Sequence, residues 1–252
     1  MTNLAVKEVA MKNKSAILLA AITLAAFAAC ADPLAGDLGL YCPEDHFLFR
    51  TIDNGTAVEI TGYVGGRTDV RIPPFIGGLP VTVIGAGAFA GEDWWYFCYV
   101  DENTVWNFVT GHQITSVNIP GSVTHIRHAA FIANRLSSVS IPSEVVYIDG
   151  SAFAGNQLVS VYIPDNVIHV GRGAFADNQL ASVTIPDSVT HIQQEAFARN
   201  NLINIIIPSG VTHIEMWAFI NNQLTYVIIP DSVTHVRWDA FDDGVTIIRS
   251  TN

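Results

Sequence analysis

The chain has 252 residues and a formal net charge of −11; half its residues are hydrophobic and 14% are charged. That is ample for a buried core and too apolar for a disordered chain. The negative balance repels phosphate backbones and anionic membrane surfaces, so nucleic acid is not an expected partner and a membrane is expected only through a covalent anchor. Val, Ile, Phe and Ala punctuated by Pro and Gly favour strands and turns over helices.

Residues 1–29 read as an export leader, with Met11 as a candidate true start because Lys12 and Lys14 follow it directly. The apolar run that follows, 16–29, is shorter than a spanning helix, and Ala31-Asp32-Pro33 supplies no basic stop signal. Phe27-Ala28-Ala29-Cys30 resembles the lipobox of bacterial lipoproteins, with Phe27 where Leu is usual. The resemblance implies cleavage before Cys30, lipidation of its sulfur, and a lipid-anchored protein of the bacterial envelope, displayed on the cell surface. The alternative is an ordinary secretory signal with an incidental cysteine. The leader carries +2 (Lys7, Lys12 and Lys14 against Glu8), which leaves the rest at −13 against −11 for the whole chain. Every lysine goes with the leader, and the nine arginines left are spread from Arg50 to Arg249 without a cluster. Residues 30–45 are the anchor cysteine and a linker. Export permits a Cys42–Cys98 disulfide, two separate buried thiols being the alternative, and neither spacing suggests a metal.

Residues 46–113 contain a cap, a first repeat and an insertion. Phe47–Ile52 and Ala57–Ile60 flank Asp53-Asn54-Gly55-Thr56, which predicts a β-hairpin. Val70-Arg71-Ile72-Pro73 opens a first repeat that reaches Ala88-Phe89. The aromatic insertion, 91–111, holds Trp94, Trp95 and Trp106. Packing on the body of the protein is the preferred reading of these tryptophans, and a binding arm is the other.

Residues 114–252 are a repeat array with a C-terminal cap. Ile-Pro pairs recur at Ile119, Ile141, Ile163, Ile185, Ile207 and Ile229, each step being 22 residues. Phe131 to Phe241 and Asn134 to Asn222 keep the same step, the mark of a solenoid. In one unit Val183 and Ile185 are predicted to face inward from a strand, with Ser182 and Thr184 outward. Pro186 ends the strand. Stacking at about 4.8 Å turns each position into a column. Phe becomes a spine, and Asn is expected to satisfy backbone groups at the turn before each strand. Asp242-Asp243-Gly244 interrupts the pattern before a last short strand at Val245–Ile248.

The pattern L-x-x-V-x-I-P-x-x-V-x-x-I-x-x-x-A-F-x-x-N resembles the BspA-like, or Treponema-type, leucine-rich repeat. It departs from many such repeats in carrying Asn134 to Asn222 where Cys often stands. The fold implied is a β-rich leucine-rich-repeat solenoid of 22-residue units with an N-terminal β-hairpin cap. The resemblance also implies a surface protein that adheres to host matrix proteins or to other bacteria. An envelope scaffold with a bacterial partner is a second reading, and a glycan-binding module using Trp94, Trp95 and Trp106 is a third.

Besides the tryptophans, two sets of residues are candidates for contact. His125, Tyr147, His169, His191, His213 and His235 form one column. Surface tiling is its preferred reading, with pH sensing and metal binding as alternatives. No metal site is assigned, because no carboxylate or thiolate repeats beside the rings and Tyr147 interrupts them; His169, His191, His213 and His235 are the candidates should a cation bind. Outward columns on the strand face end in Ile206, Tyr226 and Ile228, with Tyr162 earlier, and give an apolar patch rising toward one end. Its other readings are packing against the C-terminal cap and plain β-propensity. No Ser-His-Asp or Cys-His set, phosphate loop or H-E-x-x-H stands in the chain, so neither catalysis nor a cofactor is expected.

Overall fold

The computed structural model describes residues 41–91 and 112–250. The leader, Cys30, Cys98 and the insertion tryptophans Trp94, Trp95 and Trp106 lie outside the described residues, and with them the lipidation and Cys42–Cys98 expectations. Cys42 itself is buried, and its Sγ accepts the Arg71 N–H at 3.4 Å.

The cap is the expected hairpin: β1 (Phe47–Ile52) runs antiparallel to β2 (Ala57–Tyr63), with Ile52 opposite Ala57. Asp53, Asn54 and Gly55 make the turn at φ of 52°, 57° and 85°, a left-handed region that these residues tolerate best. In the first coil β3 (Asp69–Arg71), β4 (Phe75–Ile76) and β5 (Leu79–Ile84) follow, and β5 lies parallel to β2. The cap closes the open end of the core with Phe47 and Tyr63, whose rings lie 6.3 and 5.6 Å from Phe89. Glu59 on β2 is buried with its carboxylate against Arg50 at 2.7 Å and Arg127 at 3.4 Å. Those pairings neutralise a charge that burial alone would forbid.

Each later coil contributes up to two short strands. They are β6 (Ser116–Asn118), β7 (His125–Ile126), β8 (Tyr147–Ile148), β9 (Ser160–Tyr162), β10 (His169–Val170), β11 (Ser182–Thr184), β12 (His191–Ile192), β13 (His213–Ile214), β14 (Tyr226–Ile229), β15 (His235–Val236) and β16 (Thr246–Arg249). The expected strand is present as parallel pairs β3–β6, β9–β11 and β14–β16. A second parallel ladder runs β5–β7–β8–β10 and β12–β13–β15. Two-residue strands are too short to show alternation, so this ladder left no periodic signal of its own.

The third side of each coil is a chain of tight turns at the Ala-Phe position. Ala130 N–H bonds the Arg127 carbonyl at 3.1 Å, while Phe131 N–H reaches forward to Ala152 of the next coil at 2.8 Å. Inside, the Phe rings from Phe89 to Phe241 stack with centroids 5.0 to 5.8 Å apart and planes within 13° of parallel. The Asn column does what the repeat implied. Asn178 Oδ1 accepts Leu158 N–H at 3.0 Å, and its Nδ2 donates to Phe153 O at 2.9 Å, Phe175 O at 3.2 Å and Ala176 O at 3.2 Å. One buried amide thereby satisfies groups of two coils at once. Where Gly244 ends the series, the Asp242 carboxylate accepts Asn221 N–H at 2.8 Å and Asn222 N–H at 3.0 Å, in place of the next-coil carbonyls that take the Arg199 and Asn200 amides.

Candidate interaction surface

The strand face is built by alternation. Along β9, β11 and β14 the valines turn to the core, and the residues on either side of each stand in solvent. Tyr162, Ile206, Tyr226 and Ile228 are all exposed, Ile206 at 84%. Ile206 bridges Ile228 in parallel, and Ile228 pairs with Ile248 of β16, which makes a three-residue isoleucine ladder open to water. The C-terminal strand therefore extends this apolar patch and leaves it uncovered. Ile203, also exposed, stands three residues before Ile206 in the same coil.

The histidine column lies on the second ladder. His125 stacks on Tyr147 at 4.9 Å, and Tyr147 meets His169 with planes tilted by 42°. His191, His213 and His235 stack at 4.4 Å with planes within 10°. Their alignment follows from the parallel register, His191 opposite His213 and His213 opposite His235.

The turn side carries features that the sequence reading passed over. Gly150 and Gly173 remove side chains from successive coils and leave a notch of about 440 Å³, walled by His128 on one side and by Arg172, Glu195, Arg199 and Asp177 on the other. The wall is a chain of alternating charge: Arg172 to Glu195 at 3.1 Å, Glu195 to Arg199 at 3.3 Å, Arg199 to Asp177 at 2.7 Å. Burial works against charge on Glu195, but hydrogen bonds and charge from Arg172 and Arg199 outweigh it and hold the carboxyl below its ordinary range. The hydrogen bond to Asp177 is the main reason Arg199 holds its proton still more firmly. Burial pushes His128 down, against the charge of Asp149 and the Gly150 backbone, and it pushes His112 down as well, against the Tyr63 backbone. Further along, Trp217 and Trp238 are exposed, Trp238 at 87%. Trp217 sits at φ 58°, a region uncommon for a bulky residue. Their signal was present as a broken column: Trp217 stands where earlier coils have Ala129, Ser151, Gly173 and Glu195.

This arrangement defines a leucine-rich-repeat solenoid, a stack of near-identical coils with a regular interior and a variable surface. Residues 124–247 match, in six copies, the family described as BspA type leucine rich repeat region, and that part of the chain is a repeat array of this type. No curated protein matches the chain. Among solved structures it is similar to a leucine-rich repeat protein from Bacteroides ovatus, at 20% identity and a TM-score of 0.47, over 81% of this chain and 66% of that one. It is similar to the T. pallidum leucine rich repeat protein TpLRR at 20% identity and a TM-score of 0.47, over 75% of this chain and 86% of that one. The pneumococcal vaccine antigen PcpA aligns at 19% identity and a TM-score of 0.44, over 80% of this chain and 46% of that one.

Proposed function

We propose that this protein is an exported, lipid-anchored binding module that holds a protein partner along its strand face and has no catalytic role. The observation that carries this reading is the uncovered ladder of Ile206, Ile228 and Ile248 beside Tyr226. Aromatic and aliphatic anchors on a rigid surface are the groups that dominate protein contacts, and the drift from Ser and Thr to Ile along one column concentrates them at one end. Export and anchoring rest on the leader and on Cys30. An adhesion-type role, with a host matrix or bacterial surface protein as partner, is the version of this reading that display on the cell surface would favour. An envelope scaffold is the version that display inside would favour. Protease treatment of intact cells separates them: rapid cleavage is expected for the adhesin, and cleavage only after lysis would rule it out. Trp217 and Trp238 favour a second reading, glycan binding, because solvent-facing indoles are stacking platforms for sugar rings. Retention on immobilised glycans that survives Trp238→Ala would remove that reading.

A further inference from the structure

We propose that the turn-side notch beside Gly150 and Gly173 binds a neutral saccharide unit, held by its hydroxyls between Asp177 and Arg199 on one wall and His128 on the other. This deepens the glycan reading above and rests on it, but places the sugar in the notch rather than on the tryptophans alone. The first ground is space that the backbone does not require. Gly173 sits at φ 61°, yet the same column holds Ala129, Ser151, Glu195 and Trp217 at φ 55°, 56°, 59° and 58°, so this turn accepts side chains. A Cβ added at Gly173 would meet nothing closer than Ser151 Oγ at 3.6 Å. The glycine therefore leaves open a space that a side chain could fill. The resulting notch, about 440 Å³, lies in the size range of small-ligand clefts.

The second ground is the chemistry of the wall. Arg172 and Arg199 stand against Asp177 and Glu195, so its charges cancel. An anion would have to draw an arginine from its carboxylate, and an ammonium group would meet two guanidinium groups. What remains on offer is donors beside acceptors. Arg199 donates from Nε to Asp177 Oδ1 at 2.7 Å and from Nη2 to Glu195 Oε2 at 3.3 Å, which uses two of its five N–H bonds. Asp177 Oδ2 is buried and has no hydrogen-bond partner among the described residues, and His128 Nε2 across the notch is in the same state. Buried polar atoms are as a rule bonded, so two such orphans on opposite walls of one cavity point to an incoming group. The terminal torsion of an aspartate is broad, and a small turn about it brings Oδ2 to the notch. A hydroxyl suits all three partners: it donates to the carboxylate, accepts from the guanidinium, and does either for the imidazole, whichever nitrogen carries the hydrogen. Trp217 stands one coil beyond Glu195 in the same column, about 4.8 Å along the stack, and is exposed. Its indole gives the apolar face of a following sugar ring a surface to lie on.

The test is an NMR titration of the full chain with the methyl pyranosides of glucose, galactose, mannose and N-acetylglucosamine, with inorganic phosphate as the charged control. At least one pyranoside should shift the Arg199 Nε–H and His128 ring resonances to saturation, and phosphate should not. Gly173→Gln fills the notch at a φ that the column already gives to Glu195. Asp177→Asn keeps the volume and removes the carboxylate. Each variant should weaken the binding at least about tenfold with an unchanged circular dichroism spectrum. No shift with any of the four sugars, a phosphate shift as large as theirs, or undiminished binding by both variants overturns the proposal. Retention of the parent chain on immobilised glycans separates that failure from the wider one: retention without a pyranoside shift leaves the glycan reading to Trp217 and Trp238, and no retention removes both.

Discussion

At the interior positions the coils repeat without exception: Phe at 131, 153, 175, 197, 219 and 241, and Asn at 134, 156, 178, 200 and 222. On the turn side, two residues before each Phe, the chain runs Ala129, Ser151, Gly173, Glu195, Trp217 and Asp239. Both sets occupy equivalent backbone positions of the same solenoid. An interior residue is fixed by the identical residue above and below it, and one exception leaves a void or an unpaired polar group in two coils. A turn-side residue has no identical neighbour to match, and its surroundings change along the column, from Ala129, buried, to Trp217, exposed. The period therefore reports the fold, and the departures from it mark where the fold leaves the side chain free to vary.

The largest test of that contrast is Phe175→Ala, in the middle of the stack with rings 5.4 and 5.8 Å to either side. It should cost about 3–5 kcal/mol in urea unfolding. A loss below about 1 kcal/mol would mean that the stack is decoration rather than spine. Asn178→Ala comes next, at roughly 1–3 kcal/mol, because Leu158 N–H loses its acceptor away from water, while the Phe153 carbonyl keeps only its bond from Asn156 Nδ2 at 3.0 Å. Asn178→Asp separates the two halves of that role. It keeps the acceptor for Leu158 but sets carboxylate oxygen against the Phe153 and Phe175 carbonyls, so it should be at least as damaging. A milder effect would show that the donor half does not matter. Asp242→Ala, at the edge of the interior, should cost about 1–2 kcal/mol by releasing the Asn221 and Asn222 amides where water can still reach them.

How much was legible follows from the same contrast. Hairpin, coil length, Phe spine and Asn ladder were readable because each is written many times, or as turn chemistry at Asp53-Asn54-Gly55. The second ladder was not, since two residues cannot show a period of two. The notch beside Gly150 and Gly173 was not, since it joins His128 to Arg199 across several coils through residues that follow no column rule. Trp217 and Trp238 were visible as letters, but a repeat search looks past whatever does not repeat. The apolar end of the strand face was readable from Ile206, Tyr226 and Ile228. Whether the cap would cover it was not, because that depended on β16 pairing in register with β14.

Acid should weaken the protein through the turn side and its neighbours. Burial is the main force lowering His112 and His128 below the ordinary 6.5. Below that pH the unfolded chain takes up protons that the folded chain refuses, so stability is complete above 6.5 and falls as pH drops toward the folded values. Glu195, held low by its arginines, adds a second loss at lower pH, beginning near its ordinary 4.5. A melting temperature measured from pH 7.5 down to 5.5 should fall, and His128→Gln should flatten the slope. A melting temperature that rises over this range would show that these rings gain protons on folding.

The smallest expected change in stability belongs to the strand face, and it is the sharpest test of the exterior. Ile206→Thr with Ile228→Thr replaces two exposed residues by the one that the same column already holds at Thr184. Both are β-branched, so strand preference is kept while apolar surface is removed. The double variant should unfold within about 0.5 kcal/mol of the parent. Capture of a protein partner should fall at least about tenfold, since two anchors near the centre of a patch each carry about 1 kcal/mol or more. The two readouts divide the explanations. Lost capture with intact stability makes the ladder a contact surface. Lost stability would mean that Ile206 and Ile228 hold the last coils together, and the exterior column would then join the interior as part of the fold.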